Sequence, residues 1–129
     1  MNTKDIGNIG ESAAAKFLKK SKYKILERNL HVSHNELDIV AISKKQRVIS
    51  FVEVKTRTAE GELFSKFGTP AGAVTRSKQQ RIIDAARGYL FANKKFSEFQ
   101  ARFDVIEVYL DKTDLNVLKI NHIENAFSV

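Results

Sequence analysis

The sequence predicts an α/β domain, a central mixed β-sheet of about five strands flanked by helices. Three observations carry that expectation. A helical stretch precedes three β-patterned stretches, a second helical stretch precedes two more, and the joints inside each group are short and polar. At 129 residues the chain reads as a single domain, residues 1–129, long enough to bury roughly two-thirds of its unfolded surface.

Residues 5–20, DIGNIGESAAAKFLKK, place Ile6, Ile9, Ala13 and Phe17 at helical spacing, with lysines closing the last turn. YKILERNLHV, residues 23–32, mixes β-formers with polar residues between SK and SHN and predicts a strand. ELDIVAIS and RVISFVEVK, residues 36–43 and 47–55, are joined by KKQ and predict an antiparallel hairpin. From Thr58 to Val74 the chain holds three of its six glycines and its only proline with no clear period, which predicts a loop. Ser77 fits an N-cap and Gln80 completes a capping box. Ile82, Ala85, Ala86, Tyr89 and Leu90 then form the apolar face of a second helix ending near Asn93. RFDVIEVYL and NVLKINHI, residues 102–110 and 116–123, flank DKTDL and predict another hairpin.

No apolar run approaches the ~18 residues of a membrane span, the N-terminus lacks the apolar segment of a signal peptide, and there is no cysteine for disulfides or thiolate metal sites. Together these favour a cytoplasmic protein. The net charge of +7 is concentrated: between Thr75 and Lys95 stand Arg76, Lys78, Arg81, Arg87, Lys94 and Lys95 against Asp84 alone. Such clustering suits a polyanion such as nucleic acid, although a solvated basic helix would look the same. Lys78 in the first turn of its helix faces the positive end of the dipole, a placement that a phosphate among Arg76, Lys78 and Arg81 would relieve.

ISFVEVKTR, residues 49–57, sets Glu53 and Lys55 inside a strand otherwise fit for the core. Alternation points Ile49, Phe51, Glu53 and Lys55 to one face. If Ser43 lies opposite Val48, paired positions sum to 91 and Asp38 falls opposite Glu53, with Cβ atoms ~5 Å apart. Two carboxylates there need compensation, and a divalent cation, Mg²⁺ or Mn²⁺, held by Asp38 and Glu53 would supply it. Lys55 on the same face could position a water or stabilise charge developing on a phosphate. Glu11 lies on the side of the first helix shared with Ala14, Ala15 and Leu18, where small neighbours permit close approach to a sheet. Ordinary ion pairing at a fraying strand end would account for each acid taken alone, but less readily for the set. Asp104 reads as structural, capping a loop or pairing with an arginine, and His31, His34 and His122 lack a metal-ligand spacing.

Asp38 followed by Glu53-Val54-Lys55, with Glu11 on a preceding helix, resembles the D…(D/E)xK core of the PD-(D/E)XK nuclease superfamily. GESAAAKFL, ILERNLH, ELDIVA, FVEVKTR, FGTPAGAV and RFDVI, in that order, resemble the YraN-type family of small proteins, similar to archaeal Holliday-junction resolvases. The resemblance spans Gly7 to about Ile123. It departs from the superfamily's name at Leu37, which stands where a proline would precede the first aspartate. It implies a restriction-endonuclease-like core, Asp38 and Glu53 as metal ligands, Lys55 as catalytic lysine and Glu11 as accessory acid. It also implies a Mg²⁺-dependent (or Mn²⁺-dependent) endonuclease acting on DNA, branched or damaged DNA included, with Arg57, Arg76, Lys78 and Arg81 on the nucleic acid and a homodimer by analogy. Phe64 and Phe67 could touch an opened strand. The alternatives are a nucleic-acid-binding module that uses the basic helix without cleaving, and an adaptor for an acidic protein partner.

Overall fold

The computed structural model describes residues 3–59 and 74–129, with side chains for 5–58 and 74–129. Most of the loop expected between Thr58 and Val74, with Phe64 and Phe67, lies outside the described residues. The elements run α1 (Thr3–Lys20), β1 (Lys24–Val32), β2 (Asn35–Ser43), β3 (Val48–Ala59), α2 (Arg76–Ala92), a 3-10 turn (Lys94–Phe96), β4 (Gln100–Asp111) and β5 (Val117–Phe127). The five strands form one sheet in sequence order. β3 and β4 are parallel and every other pair is antiparallel, so the sheet is mixed as predicted. A parallel pair needs a long crossover, and α2 lies within it.

One helix covers each face. Ile82, Ile83, Ala85, Ala86 and Tyr89 of α2 pack on Val40, Ile42, Ile49, Phe51, Phe103 and Val105; Ala14, Ala15 and Leu18 of α1 pack on Ile39, Ala41, Val52, Ile106 and Val108. β3 and β4 are therefore apolar on both faces, the pattern of strands sandwiched between helical layers. The buried stripe of α1 is centred on Glu11, Ala14, Ala15 and Leu18, with Ile6, Ile9, Ala13 and Phe17 only half-buried at its margin. Among the described residues no helix is long and apolar enough to cross a membrane.

Two local expectations need correcting. The N-cap of α2 is Thr75, not Ser77: its side chain accepts the backbone N–H of Lys78 at 3.1 Å, and Gln80 donates to Asp84 rather than closing a capping box. Both hydroxyl residues suit the role, and the buried Val74 just before Thr75 belongs to the α2 core, which starts the helix two residues earlier. Second, β3 does not end at Lys55. It runs on to Ala59 because β4 continues to support it after β2 has left.

Candidate active site

The β2–β3 ladder pairs Ser43 with Val48 through to Ile39 with Val52, the register in which positions sum to 91, and stops one pair short of Asp38. There the alternation of β2 slips, since Leu37 packs in the α2 layer while Ile39 packs in the α1 layer. The Asp38 side chain takes over the work of the missing rung: its Oδ2 accepts the backbone N–H of Val54 at 2.9 Å. After burial, Asp38 is also the neighbour that does most to raise the Glu53 carboxyl. The two acids thus meet where the hairpin strands part.

Glu53 is buried, and its carboxyl is pushed up to about 7, first by loss of water and then by the charge and hydrogen bond of Asp38. Two ammonium groups oppose that rise. Lys55 Nζ lies 3.7 Å from Glu53 Oε2, and Lys78 Nζ, from the first turn of α2, lies 3.8 Å from the same oxygen. Neither is close enough for a strong hydrogen bond. Lys78 therefore belongs with the carboxylates, in a role the reading of its helix dipole did not anticipate.

Glu11 approaches from the other layer because α1 sits tightly on β3. A Cβ on Gly10 would lie 1.8 Å from Thr56 Oγ1, so glycine alone permits that approach. Arg28 Nε and Asn29 Nδ2 both donate to Glu11 Oε1, at 3.2 and 2.9 Å, and Asn29 holds a left-handed φ of 50° to do so. Burial raises the Glu11 carboxyl, with Arg28 opposing and Asp38 adding to the rise. Sequence reasoning missed Arg28 and Asn29; the polar ERN interruption of β1 was their only signal. Glu11, Asn29, Asp38, Val54, Lys55 and Thr56 line a pocket of about 310 Å³.

Of the eight residues singled out in sequence, Glu11, Asp38, Glu53, Lys55 and Lys78 come together. Arg57 lies two residues along β3 and pairs with the buried Glu107 at 2.5 Å. Arg76 and Arg81 are exposed on α2 and do not line the pocket. Neighbouring carboxylates are hard oxygen donors of the kind Mg²⁺ or Mn²⁺ takes. Among the described residues no group of three or more acids or histidines could hold a metal ion, so an ion on Asp38 and Glu53 would complete its shell with water, substrate or backbone oxygen.

Asp104 is structural, as its sequence context indicates. Fully buried on β4, it accepts from Ser50 Oγ, Arg102, His122 Nε2 and the Asn125 N–H. Burial opposes its ionisation, but the bonds from His122, Arg102, Asn125 and Ser50 outweigh that and hold it well below the usual carboxylate range. His122 finds its place in this network.

A family model described as "Uncharacterised protein family UPF0102" matches residues 10–108. The chain is 46% identical over 127 residues to a UPF0102 protein of Caldanaerobacter subterraneus subsp. tengcongensis, covering 98% of each chain. It is 47% identical over 126 residues to one from Clostridium perfringens, covering 98% of this chain and 96% of the relative. It is also 42% identical over 129 residues to one from Acetivibrio thermocellus, covering 98% and 93%.

Proposed function

The chain belongs to the UPF0102 family, the YraN-type proteins its motifs resemble, and from its site we propose that it is a metal-dependent endonuclease that hydrolyses DNA phosphodiester bonds. One observation carries this reading: Asp38 lines a pocket with Glu11 and Lys55 and raises the buried Glu53 carboxyl beside it, with Lys55 and Lys78 on one oxygen of Glu53. Asp38 and Glu53 would hold Mg²⁺ or Mn²⁺, which when bound supplies a Lewis acid and a more acidic water. Lys55, about a third exposed at the pocket wall, faces the incoming phosphate and stabilises its developing charge. Glu11, its Oε1 held by Arg28 and Asn29, has its other oxygen without a hydrogen-bond partner among the described residues, which suits it to orient water. The exposed cations of α2 attract the polyanion. Branched or damaged DNA is the substrate class the family resemblance favours, and two scissile strands would call for a homodimer.

The test is cleavage of labelled four-way-junction, duplex and single-stranded DNA with Mg²⁺ or Mn²⁺ by wild type, Glu53→Ala and Lys55→Ala. Metal-dependent cutting lost in both variants is the expected result. A non-catalytic binding module is the second reading, favoured by the exposed basic face of α2 and by the lack of a third acidic ligand among the described residues. No cutting, with equal salt-sensitive binding by all three proteins, would select it.

A further inference from the structure

The sheet face away from α1 carries more than the carboxylate pair. Phe103 and Val105 of β4 pack in the α2 layer, while Ile106 and Val108 pack in the α1 layer. Alternation therefore turns Glu107 to the α2 side, beside Lys55 in the parallel register. Glu107 is fully buried, in a position where an aliphatic side chain would continue the strand. A buried carboxylate is costly unless paired. Its Oε2 accepts Arg57 Nε at 2.5 Å and its Oε1 accepts the Tyr109 hydroxyl. Among the described residues Arg57 is bound through Nε alone; its side chain is 37% exposed, and its two terminal nitrogens can serve another acceptor. Lys55 and Arg57 leave the same side of β3 about 7 Å apart by strand rise, close to the spacing of successive phosphates in an extended strand.

We propose that Lys55 and Arg57 contact two successive phosphates of one nucleic-acid strand laid along β3, and that Glu107 is the positioning residue that holds Arg57 in line. This rests on the nucleic-acid reading above and adds to it the direction of the strand. A planar guanidinium held at Nε presents its outer edge to a phosphate in a fixed plane, which a freely rotating lysine does not.

A scan of one oligonucleotide, with each linkage in turn made neutral as a methylphosphonate, tests it by affinity and by cleavage rate. Wild type should lose about tenfold at the linkage next to the scissile one. Arg57→Ala should lose about tenfold on the all-phosphate strand and nothing more when that linkage is neutral. Glu107→Gln should fall between, chiefly in KM. If Arg57→Ala fails to fold around the unpaired Glu107, the double variant Arg57→Ala/Glu107→Gln, which removes both charges together, is read in the same way. Wild type that cuts but is indifferent to neutral linkages beside the scissile one, or an Arg57 variant as sensitive to them as wild type, overturns the track and leaves the nuclease standing. Wild type that binds without cutting sinks the nuclease, and the affinity scan alone then decides the track. Wild type that neither binds nor cuts overturns both.

Discussion

Replacing Glu53 by glutamine should stabilise the metal-free protein while abolishing the proposed cleavage. The Glu53 carboxyl is pushed from 4.5 up to about 7 by burial and by Asp38, so it binds a proton more tightly in the folded than in the unfolded chain. Stability from that proton is fully present below about pH 4.5 and is lost as pH rises through 7. At 1.36 kcal/mol for each tenfold change in proton affinity, that rise sets a ceiling of about 3 kcal/mol above neutral pH. Glutamine has no proton to lose, and its amide can donate to Asp38 at every pH. Urea unfolding followed by circular dichroism, in EDTA at pH 8 and pH 4, should show the variant about 1–3 kcal/mol more stable at the higher pH and no better at the lower. A variant no more stable at pH 8, or an advantage equal at both, would refute the claim that Glu53 is ionised against its surroundings.

Gly10→Ala should cost about 1–3 kcal/mol, because its Cβ meets Thr56 at Oγ1 (1.8 Å), Cβ and Cγ2 (both 2.7 Å) and must push α1 off β3; urea midpoints measure it, and Thr56→Ala in the same chain should recover part. Asp104→Ala leaves Arg102 and His122 without their buried acceptor and should cost about 3–5 kcal/mol at pH 7. Because the folded carboxyl is held well below the usual range, wild type keeps its full advantage above the unfolded pKa of about 4 and loses it only as pH falls through the much lower folded value, so the stability gap between wild type and variant should be full at pH 7 and only partly reduced at pH 3.

Both hairpins, both helices and the β2–β3 register were legible because alternation and helical spacing are local signals, and the sum of 91 follows from a short turn. Asp38, Glu53 and Lys55 could be grouped for that reason alone. Lys78 could not: its reach to Glu53 depends on how α2 lies across the sheet, and nothing in residues 75–81 encodes that angle. The Glu107–Arg57 and Asp104–His122 contacts join strands through the parallel β3–β4 pairing and the far hairpin, and the sequence predicts neither the parallel pairing nor its register. Thr75 was missed for a plainer reason, since two hydroxyl residues stand within three positions and burial of Val74 decides between them.

Among the described strands, β3 beyond Val52 has β4 on one side only, and an unguarded strand edge of that length would invite pairing with another copy of the chain. Lys55 and Arg57 stand on that stretch of β3, and charges so placed disfavour edge-to-edge pairing. The charges proposed to meet a polyanion would thus also guard the edge against self-association. Neutralising both at once would remove a site and a safeguard together, so soluble yield belongs beside activity in any comparison of such variants.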